Sequence, residues 1–110
     1  YCWLMIRVLV KKKKESFAEI CVQGHAMYDD YGKDIVCAGA STIFITTVNA
    51  ILRFNDKAIV VEQKKDLVCL KVLRTSEIIK TLLDNMIDLF SELSLKYPKN
   101  ITIREDELNE

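Results

Sequence analysis

The sequence predicts an α/β fold of the α+β type. It reads as a two-layer domain whose small mixed or antiparallel sheet, built from two hairpins, packs against two long helices. Three observations predict it. Two pairs of short apolar, β-branched runs are each split by a charged cluster. Each pair is followed by a long segment with helical periodicity. The 110 residues, half of them apolar and 29% charged, suffice for one domain with one core, spanning 1–110.

Trp3–Val10 is rich in apolar and β-branched residues and predicts the first strand. Lys11–Lys14 and Glu15 predict its charged turn, a solvated feature that also discourages edge pairing. Phe17–Gln23 predicts the second strand. Phe17, Glu19, Cys21 and Gln23 fall on one face, and Ala18, Ile20 and Val22 on the other. Gly24–Lys33 reads as a loop. Asp34 then opens a long segment reaching about Asn55. Its Thr and Ile content favours a strand by propensity, but Thr42, Thr46, Asn49 and Arg53 recur at spacings of four, three and four. That is one polar stripe on a helix whose remaining surface is apolar, so the helix should be largely buried.

Ala58–Gln63 and Leu67–Leu73 predict a second hairpin around Lys64, Lys65 and Asp66. Ser76–Lys96 carries paired apolar residues, such as Ile78 and Ile79 or Leu82 and Leu83, separated by polar ones. This is an amphipathic helix, and Pro98 ends it. Ile101–Arg104 predicts a short edge strand before an acidic tail.

Composition excludes several classes. Lys plus Arg and Asp plus Glu each number 16, so the net charge is zero. Direct nucleic-acid binding, which needs a basic excess, is not expected. Four cysteines are too sparse for a disulfide scaffold. Cys2, Cys21 and Cys69 read as small buried hydrophobes. No segment is expected to span a membrane, and the opening run lacks the basic region and cleavage site of a signal peptide. The expectation is a cytoplasmic protein with reduced thiols. One His and no Cys-x-x-Cys pair give no metal-site spacing, and no cofactor is expected.

The chemistry concentrates in 24–41. All three glycines, at 24, 32 and 39, fall there with the single histidine, His25, and with Cys37. If Asp34 caps the helix, Cys37 lies in its first turn. The unpaired amides and the positive end of the helix dipole favour a thiolate there. An imidazolium from His25 would favour it further. Asp34 opposes the thiolate but can orient the histidine. Ala38, Gly39 and Ala40 are small enough to admit a peptide backbone, and Ser41 shares the helix face of Cys37. The bland alternatives are a turn histidine, a capping aspartate and a buried cysteine.

This stretch resembles the ribosomal-processing cysteine proteases (Prp, YsxB-like). It reads Gly24-His25-Ala26, a short loop, then Gly32-Lys33-Asp34-Ile35-Val36-Cys37-Ala38-Gly39-Ala40-Ser41, with Thr47-Val48-Asn49-Ala50 following. The resemblance implies a small cytoplasmic protein, typically a homodimer. Its substrate would be a large-subunit ribosomal protein precursor, from which it removes an N-terminal extension. It implies Cys37 as nucleophile and His25 as general base. Asp34, Ser41 and Gly24 match supporting positions. Gly32 and Tyr31 belong to a loop over the substrate, with Ala38 and Gly39 beside it. Two other readings stand beside it: a non-catalytic ribosome-associated assembly factor, and a thiol redox protein in which Cys21 or Cys69 approaches Cys37.

Overall fold

A computed structural model describes residues 6–24 and 35–108. The elements run β1 (Ile6–Lys13), β2 (Ser16–Gln23), α1 (Ile35–Phe54), β3 (Ile59–Lys64), β4 (Leu67–Val72), α2 (Glu77–Lys96) and β5 (Ile101–Glu107). The five strands form one sheet in the order β3-β4-β2-β1-β5. β5 is parallel to β1 and the other neighbours are antiparallel, so the sheet is mixed.

Alternation along each strand divides the sheet into two faces. Ile6, Val8 and Val10 of β1, Ile20 and Val22 of β2, and Leu70 of β4 are buried in one core cluster. Val36, Ala40, Phe44 and Ile51 of α1 meet them there, with Ile79, Leu83, Met86 and Phe90 of α2. Both helices therefore lie on one side, giving the expected two layers. Ser76 caps α2 by accepting a hydrogen bond from the Ile79 amide, 3.2 Å. The Tyr97 amide closes its last turn on the Leu93 carbonyl, 2.9 Å, one residue before Pro98.

Five expectations are corrected. First, the lysine run is strand rather than turn as far as Lys13. The turn is Lys14-Glu15 alone, with φ of 54° and 69°. The lysines stay extended because β5 runs beside them through Glu107. Lys12 pairs with Glu105 at 3.4 Å, and the Lys14 amide donates to Glu107 Oε2 at 3.0 Å. The acidic tail is thus the second half of a strand.

Second, Phe17 lies on the core side with Ile20 and Val22. The register steps from Lys11↔Glu19 to Lys12↔Phe17, leaving Ala18 as the extra residue of a β-bulge. That bulge resets the alternation. Lys12 sits over the Phe17 ring at 4.8 Å.

Third, α1 is buried along one stripe only. Ile35, Ile45 and Phe54 are 60%, 55% and 49% exposed. Thr42, Thr46, Asn49 and Arg53 form the exposed polar stripe as expected. Thr47 is buried and donates its hydroxyl to the Ile43 carbonyl at 3.0 Å.

Fourth, α1 is 20 residues long and apolar enough to cross a membrane, with mean hydropathy 1.9 over an 18-residue window. Its buried stripe makes it part of the core, a role for which the same length and composition serve.

Fifth, Cys21 and Cys69 are buried as expected but are not reduced thiols: they are joined by a disulfide. The β2–β4 register sets them directly opposite, with Cα atoms 4.0 Å apart.

Candidate active site

Cys37 is the third residue of α1, partly buried and packed against the core. The first turn of a helix has amide N–H groups without intrahelical acceptors, and these favour an anion. No acidic residue lies in the first turn of α1. Ser41 follows one turn later, partly buried. Of the small residues near Cys37, Ala38 is exposed and Ala40 is buried in the core. Gly39 turns toward α2, where an added Cβ would lie 3.7 Å from Leu93 Cδ2. Gly39 thus packs its open side on α2, and Ala40 lies at the base of the helix face that carries Ser41.

Gly24 directly follows β2 with φ of 85°, a left-handed conformation that glycine adopts without steric cost. Its amide donates to the Asp66 carbonyl at 3.0 Å, tying the start of the connection to the β3–β4 turn. His25, Tyr31, Gly32 and Asp34 lie outside the described residues, as do Trp3 and Cys2.

Beside α1 runs a groove of about 220 Å³. Ala40, Ser41, Phe44, Ile45, Val48 and Asn49 form its helical wall, and Val61, Gln63, Val68 and Val22 its sheet wall. Sequence reasoning missed it, because the β3 residues that line it carry no reactive group. A hint was the exposed apolar pair Val60-Val61 in a strand that proves to be an edge.

A larger concavity of about 620 Å³ lies on the sheet face away from the helices. It holds the disulfide among Arg7, Lys11, Lys71 and Arg104. Glu19 comes within 4.8 Å of both sulfurs, but the disulfide takes up the two thiols and leaves no thiolate pair for a metal. Both cysteines lie on the sheet face away from α1, which carries Cys37, so the structure does not bring either of them to it as the redox reading requires.

The family model described as cysteine protease Prp matches residues 5–102, nearly the whole chain and every element through the start of β5. The chain belongs to the cysteine protease Prp family. Over 34 residues it is 50% identical to the ribosomal processing cysteine protease Prp of Staphylococcus aureus strain Mu50. That match covers 31% of this chain and 32% of the relative, so it spans about a third of the relative's length.

The Prp fold extends much further than that identity. The crystal structure of the S. aureus Prp with a substrate peptide superposes with a TM-score of 0.82. It covers 93% of this chain and all of that one, at 24% identity. SMU.848 from Streptococcus mutans gives 0.80 at 23% identity, covering 96% and 97%. At such identities the likeness is one of fold.

Proposed function

We propose that the protein is a cysteine endopeptidase that removes the N-terminal extension of a large-subunit ribosomal protein precursor. Membership of the Prp family carries the reading. The position of Cys37 in the first turn of α1 supports it chemically.

In this mechanism His25 takes the proton of the Cys37 thiol. The thiolate attacks the scissile carbonyl carbon, and the amides of the first turn hold the oxyanion. His25 returns the proton to the leaving amine, and a thioester remains on Cys37. Water, deprotonated by His25, attacks the thioester and releases the new carboxyl terminus and the free thiol. Asp34 orients His25, and Ser41 and Gly24 support the site. The loop carrying Tyr31 and Gly32 closes over the peptide beside Ala38. The substrate is polypeptide, in keeping with a net charge of zero, and the setting is the cytoplasm.

Intact mass of a precursor bearing an N-terminal extension tests the reading. Loss of one N-terminal fragment with the parent, and none with Cys37→Ala, is expected. Equal cleavage by both would end it. A homodimer is part of the same proposal, supported by the outward apolar side chains Ile35 and Phe54 on α1. Sedimentation at micromolar concentration reads it directly, and a monomer there refutes it.

A further inference from the structure

We propose that the substrate peptide pairs as an added strand with the outer edge of β3, at Val61 and Gln63. One of its apolar side chains then fills the groove between β3 and α1. The proposal rests on the endopeptidase reading and assigns the surface that selects the peptide.

The backbone phase of β3 supplies the first argument. β3 stands at the end of the strand order, with β4 on one side. The two-residue turn Lys65-Asp66 closes on the pair Lys64↔Leu67. In such a hairpin the closing pair exchanges both backbone hydrogen bonds, and bonded pairs then alternate along the ladder. Glu62↔Cys69 and Val60↔Lys71 are therefore the next bonded pairs. The 4.0 Å Cα separation of Cys21 and Cys69 gives the same phase. It is the close spacing of a non-bonded pair, so Cys69 turns its backbone groups toward Glu62. Val61 and Gln63 thus point their N–H and C=O groups away from β4. Among the described residues, no backbone group from another element bonds to that outer edge.

The side chains supply the second argument. Val61 and Gln63 are also the β3 residues that line the groove. A peptide residue paired opposite Val61 places its own side chain on the same face, hence against α1. Val61 and Ile45 stand on facing walls, 39% and 55% exposed, and leave apolar surface for that side chain to cover. At about 220 Å³ the groove is smaller than the ~300–1,000 Å³ of small-molecule pockets, and suits one side chain.

Distance to the nucleophile supplies the third. The helical wall begins at Ala40 and Ser41, within about a turn of Cys37, and extends to Asn49. At ~1.5 Å per helical residue and ~3.3 Å per strand residue, the seated side chain is about two to four residues from the attacked bond.

The test uses a synthetic peptide spanning the extension junction of a large-subunit ribosomal precursor. Cleavage by the parent gives kcat and KM, and binding of the labelled peptide to Cys37→Ala gives Kd. Val61→Pro removes an outward N–H without removing a bond to β4, and Ile45→Glu charges the groove wall. Each is expected to raise KM and Kd about 10-fold with kcat nearly unchanged. Val60→Thr, on the other face of β3, should leave both constants at parental values. N-methylation of the peptide's pairing amides should reproduce the loss on the parent protein, so the test survives if Val61→Pro does not fold. Replacing each peptide residue in turn by Ala should reveal one apolar position, two to four residues from the bond, whose loss raises KM.

Cleavage by the parent, with KM indifferent to Ile45→Glu and to N-methylation, overturns the edge proposal and leaves the endopeptidase standing. A parent that neither binds nor cleaves the peptide ends both. A dimer that Val61→Pro converts to a monomer without changing Kd assigns the edge to a second copy and overturns the proposal.

Discussion

Cys21 on β2 and Cys69 on β4 are disulfide-bonded at directly opposed register positions, on the sheet face that neither helix covers. The bond joins the two hairpins across the middle of the sheet and closes a chain separation of 48 residues. A cross-link of that span restricts the unfolded chain, an effect of about 2–4 kcal/mol for typical disulfides. Reduction, or Cys21→Ala with Cys69→Ala, is expected to lower unfolding stability by that amount in urea titrations. Cys37 belongs to the opposite layer, so Cys37-dependent cleavage should persist in the double variant. Equal urea midpoints for oxidised and reduced protein would show that the link contributes nothing.

The hairpin elements and helices were legible because periodicity is local. Ser76 and Pro98 bracket α2, and the Thr42, Thr46, Asn49, Arg53 stripe marked α1 against its own strand propensity. What failed depends on partners distant in sequence. The lysines of β1 remain extended because Glu105 and Glu107 arrive beside them from the far end of the chain. Phe17 changed faces through a bulge that alternation cannot register. The disulfide required knowing that β4 neighbours β2. At the site, Cys37 was readable from the helix start, whereas Val61 and Gln63 entered only through the sheet edge.

The Lys14-Glu15 turn holds two non-glycine residues at positive φ. A two-residue hairpin turn of this kind favours Asn-Gly, for which that conformation is cheap. The Lys14 amide bond to Glu107 is a backbone interaction and survives a change of side chain. Lys14→Asn with Glu15→Gly is therefore expected to raise stability by about 1 kcal/mol. Thermal melts of the two proteins check it, and a lower melting temperature in the variant would contradict the strain argument.

Arg104 donates to both carboxylate oxygens of Asp106, at 3.3 and 3.0 Å. These hydrogen bonds, with the nearby charges of Arg104 and Lys11, hold the Asp106 carboxyl below its ordinary value. The folded value lies under the unfolded one. Any stabilisation is therefore fully present above the unfolded value and is lost as pH falls through the folded one. The pair is solvent-exposed, so its effect on stability is small and screened by salt. A carboxyl-carbon NMR titration should give Asp106 a midpoint below that of a model aspartate. Arg104→Ala should move it upward, and an unmoved midpoint would remove Arg104 as the cause.

Gly39 lies in the fifth position of α1 with its open side on Leu93 of α2. Glycine inside a helix costs about 1 kcal/mol relative to alanine. The added Cβ would meet Leu93 Cδ2 and Cδ1 at 3.7 and 3.8 Å, ordinary contact distances. Gly39→Ala is accordingly expected to stabilise the protein by about 0.5–1 kcal/mol. The same variant separates two roles for the residue. If Gly39 serves only the packing of α1 on α2, cleavage of a precursor peptide keeps its parental KM while the melting temperature rises. If the absence of a side chain admits the substrate backbone, KM rises although the fold is more stable. Melting and cleavage measured on one preparation decide between them, and the contact with Leu93 predicts the first outcome.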